Sequence, residues 1–296
     1  MLTREITAKR AEITRAYMGK RPRNSGKKAQ KRRAKEGRGV GLGSDYKPYL
    51  YIHDVPSIGL VSRVWGWKTR RVHHFLSRLE LKFFYTREWQ RSVIDIREQF
   101  PLQLDETLAI ADQLGVLHPR DPKTKDYIVM TSDFVITESR PMGSEDIIRT
   151  TKYKAELEKG RVMEKLKIEE VYWRDVRGMD WDVVTEDDFS SILAANVEWV
   201  HGHREIESLT PLTVPDVYQI ELMLSVMLQG NDPLRDLTNE CDERLSLNPG
   251  SSLSVVRFLI ANRRLNVDME RRIIPCLPLA LITSPLNASM LTEGVA

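Results

Sequence analysis

Residues 92–100, SVIDIREQF, set Val93, Asp95 and Arg97 against Ile94 and Ile96 and stop at Pro101, the period-two pattern of a strand closed by a residue that cannot extend a ladder. YIVMTSDFVIT (127–137) is rich in β-branched and aromatic residues and predicts a second strand, EDIIRTTKYK (145–154) a third, and MDWDVVTED (179–187) a fourth. In the third, Ile148, Thr150 and Lys152 share one face, with Ile147, Arg149 and Thr151 on the other. Helical spacing fills the gaps between them. Val72, Phe75, Leu76, Leu79 and Phe83 recur at three and four residues and predict a helix carrying Glu80; 103–120 predicts another; and AELEKGRVMEKLKIEEVYWRDV (155–176) turns Leu157, Met163, Leu166 and Tyr172 or Trp173 inward. The core order is helix, three strands, helix, strand, a mixed α/β sheet fold.

Beyond about residue 187 the pattern is helical, with helices expected at 187–200, 215–228 and 251–263. SSLSVVRFLIANRRLNVDMERR (251–272) places a Ser start, an apolar helix, a basic end and a short alternating stretch in the order of the last helix and wing of a winged helix-turn-helix, a module that docks proteins as well as DNA. The last segment, TSPLNASMLTEGVA, is low in charge and reads as a fraying tail.

Composition narrows the class. The chain has 296 residues, enough for two domains, and its 41% hydrophobic and 29% charged shares are those of a soluble globular protein. With no apolar run of spanning length and no secretory stretch at the N-terminus, a cytoplasmic protein without membrane contact is expected. Cys241 and Cys276 lack metal or disulfide spacing and read as packing residues; His73-His74 and His201-Gly202-His203 come with no ligand pattern. Charge distribution says more. Residues 1–40 hold fourteen Lys and Arg against Glu5, Glu12 and Glu36, a net +11; the whole chain is only +3, so the other 256 residues carry −8. The densest part, KRPRNSGKKAQKRRAKEGR (20–38), is nearly devoid of apolar residues, which predicts a disordered arm over 1–40 with nucleic acid as its partner, or else a solubilising tail. Lys27, Lys28, Lys31, Arg32 and Arg33 are its candidate phosphate contacts, joined by Lys68, Arg70 and Arg71 in WKTRRVHH. A catalytic domain over 41–187 and a helical docking domain over 188–296 follow.

Asp133 falls in the middle of an otherwise apolar strand, and the next strand brings Lys152. An acid and a lysine on neighbouring strands suit phosphodiester hydrolysis. The substrate is anionic, so divalent cations held by hard oxygen ligands must shield it, while a lysine orients water and stabilises developing negative charge. Glu80 alone reads as an ordinary helix glutamate.

The order of elements, with Glu on the first helix, Asp on the second strand and Lys on the third, resembles the PD-(D/E)xK nucleases. EGRGVGLGSDYKPYL (36–50), KTRRVHHFLSRLEL (68–81), VIDIREQFPL (93–102), MTSDF (130–134) and EKLKIEEVYW (164–173) resemble the catalytic domain of the TnsA-like endonuclease subunits of heteromeric transposases, over about 36–200. The resemblance implies a restriction-endonuclease-like fold with a small helical C-terminal domain, and assigns Glu80, Asp133 and Lys152 to the catalytic site. Thr150 stands where the family carries Asp, Glu or Gln. The implied metal, Mg²⁺ with Mn²⁺ able to substitute, would therefore lean on Glu80, Asp133 and the carbonyl of Thr151. The implied activity is hydrolysis that frees the 5′ ends of the transposon in cut-and-paste transposition, on double-stranded DNA at transposon ends, with a TnsB-like DDE transposase and a TnsC-like AAA+ ATPase as partners. A non-catalytic assembly subunit, for which Thr150 is the motive, and a free-standing restriction-like nuclease are the alternatives.

Overall fold

The computed structural model describes residues 25–55 and 61–282, so the first part of the basic arm and the C-terminal tail lie outside the described residues. Contacts divide the chain into two compact units, one reaching to Leu81 and resuming over Gln90–Asp188, the other formed by Lys82–Trp89 and the chain from Phe189 onward.

The first unit contains α1 (Lys27–Lys35), β1 (Ser62–Trp65), β2 (Val72–Phe75), the first turn of α2 (Arg78–Trp89), β3 (Val93–Pro101), α3 (Leu104–Gln113), β4 (Thr131–Arg140), β5 (Gly143–Thr151), α4 (Gly160–Glu170) and β6 (Asp180–Val184). The main sheet runs β3-β4-β5-β6, antiparallel except for the parallel β5–β6 pair. The expected order thus appears as α2-β3-β4-β5-α4-β6, with α3 between β3 and β4. One face is covered by a core in which Leu102, Ile110, Val135, Ile148, Leu166, Trp173 and Trp181 are buried together; each such side chain contributes about 1.5–3 kcal/mol.

Two expectations are corrected here. Val72–Phe75 is a strand, paired with β1 from Ser62↔Phe75 to Trp65↔Val72, and the helix begins only at Arg78. The apolar spacing from Val72 is too short to decide between periods, and three hydrogen bonds settle it. His73 is fully buried between Thr69 Oγ1 and Glu98 Oε2, both at 2.7 Å, and Ser77 Oγ accepts the Glu80 N–H at 3.1 Å to start the helix.

The described part of the basic arm is not disordered. Lys27–Lys35 is helical, with Arg32, Arg33 and Lys35 in its last turn where the helix dipole favours cations. Ala29 and Arg33, four apart, are both 2% exposed. Arg33 lies 3.6 Å from the buried Asp54, which also takes Arg38; Tyr49 and Tyr51 lie under the two guanidinium groups at 5.0 and 4.0 Å. Arg33 is therefore a structural cation rather than a phosphate contact, while Lys27, Lys28, Lys31 and Arg32 remain exposed. Gly39 seats this segment: a Cβ there would lie 2.2 Å from the Pro101 ring, so only glycine fits against the end of β3.

The second unit takes the rest of α2 and adds α5 (Ser191–His201), α6 (Val214–Met227), α7 (Leu234–Arg244) and α8 (Ser251–Ala261). α8 is the centre, with Val255, Val256, Phe258, Leu259, Ile260 and Ala261 all buried. Its first turn is capped from α7, because Gly250 has no side chain to do so; Asp242 accepts Gly250 N–H at 2.7 Å and Ser252 N–H at 2.8 Å. A single antiparallel bridge, Val267↔Leu281, follows where the alternating stretch was read. α7 escaped the sequence reading because LRDLTNECDER is mostly polar; only Leu234, Leu237 and Cys241 mark its buried face. Cys241 is a packing residue, whereas Cys276 is exposed.

Candidate functional site

Pairing between β4 and β5 ends at Phe134↔Arg149, and the next residue of β4, Asp133, takes over the bonding with its side chain. Asp133 Oδ2 accepts the Thr151 N–H at 2.8 Å, the Thr151 hydroxyl at 3.1 Å and the Lys152 ammonium at 3.2 Å. Lys152 lies one residue past the end of β5, so its long stem, not strand alternation, decides where its charge goes. Its Nζ also donates to the Thr151 carbonyl at 2.7 Å. Burial works against that charge, but Asp133, then Glu169 and Glu80, outweigh it and hold the lysine above its usual pKa.

Glu80 enters from the first turn of α2 and is 6% exposed. Its Oε2 accepts the Leu76 N–H at 2.9 Å and the Gln99 amide at 3.3 Å. Burial, and then the charge of Asp133, push its carboxyl up to about 8. Glu80, Thr150, Thr151 and Lys152 line one cleft, which Lys165 of α4 also borders.

Thr150 does not leave its position short of a carboxylate. Its hydroxyl donates to Oε1 of Glu169 on α4, the same oxygen that accepts Ser132 Oγ at 2.6 Å and Trp181 Nε1 at 3.2 Å. Ser132 in turn accepts the Trp173 indole at 2.7 Å. Glu169 is 4% exposed and borders the cleft, and burial raises its pKa. It went unnoticed in the sequence, although a signal existed: it stands three residues after Leu166 and four before Trp173, on the apolar stripe of its helix.

The other predicted residues divide. Arg71 is buried with its two terminal guanidinium nitrogens on Glu98, at 2.9 and 2.6 Å, and a third bond to the Ile96 carbonyl at 2.7 Å, so it pins β2 to β3 and has no surface for a phosphate. Lys68 donates to the carbonyls of Gln90 and Val93, at 2.8 and 2.6 Å, between α2 and β3. Arg70 is exposed at a tight turn with φ 54°.

Residues 90–186 match the family described as TnsA-like endonuclease N terminal, and residues 188–269 the one described as TnsA endonuclease C terminal. Over 232 residues the chain is 35% identical to an Escherichia coli protein, the Transposon Tn7 transposition protein TnsA, an alignment covering 78% of this chain and 82% of that relative. The four-stranded mixed sheet flanked by helices is consistent with a restriction-endonuclease-like fold, and a helical region follows it. Among the described residues no helix is long and apolar enough to cross a membrane. With both halves matched in order and the match running through Asp133 and Lys152, the chain belongs to the TnsA-like endonucleases.

Proposed function

We propose that this protein is the metal-dependent endonuclease subunit of a TnsA/TnsB-type transposase, hydrolysing the phosphodiester that frees each 5′ end of the transposon. The observation that carries the proposal is the Asp133 carboxylate, held by Thr151 and Lys152, which line a cleft together with Glu80.

The donor set suits a hard divalent cation such as Mg²⁺, with Mn²⁺ as a substitute. Glu80, Asp133 and the Thr151 carbonyl are the residues that would hold it. Among the described residues no three Asp, Glu, His or Cys side chains form a metal cage, so a bound cation would also need the main-chain carbonyl and solvent. The Lys152 ammonium already rests on Asp133 and the Thr151 carbonyl, which shows that these two oxygens can serve one positive charge together. A bound cation supplies shielding of the phosphate and a lowered pKa for its water.

The chain's own groups do the rest. Lys152, held in its charged form chiefly by Asp133, donates hydrogen bonds and stabilises the negative charge that builds on the phosphate. Asp133 is fixed in orientation by two donors from Thr151, so it enters the reaction preorganised. Burial and the charge of Asp133 raise the Glu80 pKa to about 8, so Glu80 would hold a cation in its deprotonated form. Glu169 places a carboxylate against Thr150, which supports the catalytic over the non-catalytic reading.

Double-stranded DNA at the transposon ends is the substrate, and a TnsB-like DDE transposase and a TnsC-like AAA+ ATPase are the partners; the relative's name as a transposition protein supports both. The exposed Lys27, Lys28, Lys31 and Arg32 of α1 offer phosphate contacts. The test is strand-resolved cleavage of end-labelled transposon-end DNA by the protein together with its transposase partner. Cleavage is expected on the strand whose 5′ end belongs to the element, lost on chelation and restored by Mg²⁺ or Mn²⁺. Cutting at full rate without any partner would favour the free-standing nuclease, and an intact 5′ strand in the complete assembly would overturn the proposal.

A further inference from the structure

Gln99 lies in β3 with φ 51°, in the left-handed region that a non-glycine residue enters rarely and under strain. It is 2% exposed, and Glu98 before it is fully buried. Glu98 is taken up by Arg71 and His73, whereas the Gln99 amide reaches Glu80 and Thr131. By count, Gln99 stands opposite Asp133, between the pairs Glu98↔Phe134 and Phe100↔Ser132. Its main-chain carbonyl accepts the Tyr49 N–H at 3.2 Å.

The amide is oriented at both ends. Thr131 Oγ1 donates to its Oε1 at 3.2 Å, which leaves Nε2 for the Glu80 Oε2 at 3.3 Å. Leu76 N–H falls on the same Oε2, so two donors converge on one oxygen and fix the carboxylate's rotation. Strain of this kind persists only where the surroundings impose it, and here what it achieves is a donor aimed at an acid of the cleft.

We infer that Gln99 is a positioning residue for Glu80, and that the left-handed backbone at 99 exists to bring its amide there. The inference rests on the role proposed for Glu80. Groups that orient a metal-holding carboxylate typically change metal affinity or activity by about 10–100-fold when removed.

Two variants separate positioning from packing. Gln99→Met keeps the volume but has no donor, and Gln99→Asn tolerates the left-handed backbone but falls one methylene short of Glu80. Both are predicted to bind transposon-end DNA as the native protein does. In calorimetric titration both need about tenfold more Mn²⁺ for half-saturation, and at saturating DNA both cleave about tenfold more slowly. A purely structural side chain would be replaced by Met without loss, so native Mn²⁺ affinity and rate in Gln99→Met overturn the inference, even if Gln99→Asn proves unstable. Glu80→Ala in the same assays separates the two levels. If Glu80→Ala cleaves normally, the role of Glu80 fails and Gln99 with it; if it is inactive while Gln99→Met is unaffected, only the positioning role fails.

Discussion

At Thr150 a hydroxyl stands where a carboxylate was expected, and the carboxylate bonded to it comes from another element. Glu169 reaches Thr150, Ser132 and Trp181 through one oxygen, and its position on α4 brings it to the border of the cleft. Glu169→Gln keeps the shape and an acceptor oxygen for those three donors but removes the charge. It should lower strand cleavage at least tenfold with DNA binding unchanged; full cleavage by this variant would make Glu169 a packing residue. Asp133 and Lys152 were legible because an acid and a lysine on neighbouring apolar strands stand out by residue type. Glu169 and Gln99 were not. An inward glutamate on a helix differs from an outward one only by its register with Leu166 and Trp173, and a left-handed glutamine in a strand leaves no mark in the pattern of polarity.

At the scale of elements, charge was legible and its partners were not. Arg33, Arg38 and Arg71 count as basic residues in the sequence, yet the carboxylates that bury them, Asp54 and Glu98, lie 16–27 residues away. The strands and most helices were visible because each runs for several periods, whereas the β1–β2 hairpin and α7 carry too few apolar residues to fix a period. The Glu98 network holds that hairpin to β3. Burial alone would raise the Glu98 carboxyl; His73 and Arg71 outweigh it and hold the group far below the usual carboxylate range. A depressed acid binds fewer protons when folded than when unfolded, so its stabilisation is present above the unfolded pKa of about 4.3 and is lost as pH falls below it. Denaturant melts should therefore show stability declining below about pH 4. Glu98→Gln should be less stable at neutral pH by about 3–5 kcal/mol, because Arg71 loses its buried counter-charge, and its acid dependence should be flatter. An equally steep acid dependence in the variant would place the titrating group elsewhere.

For the whole molecule, the contrast between a basic N-terminal stretch and an acidic remainder survives, but its boundary moves. Residues from Ser25 onward are built into the first unit, with Ser25 bonded to Asp121 and the Lys27 N–H on Asp126 at 3.0 Å. A cut at 35 would therefore remove α1 and expose Asp54. The catalytic claim belongs to the first unit, and one substitution addresses it most directly. Asp133→Ala removes the acceptor for Thr151 and Lys152 without touching the basic residues of α1 or the second unit. Strand-resolved cleavage of transposon-end DNA in the full assembly, measured beside DNA binding and partner association, is the decisive measurement. The account predicts 5′-strand cleavage reduced at least 1,000-fold, about 4 kcal/mol of transition-state stabilisation, with binding and assembly intact. Undiminished 5′-strand cleavage by Asp133→Ala would contradict it.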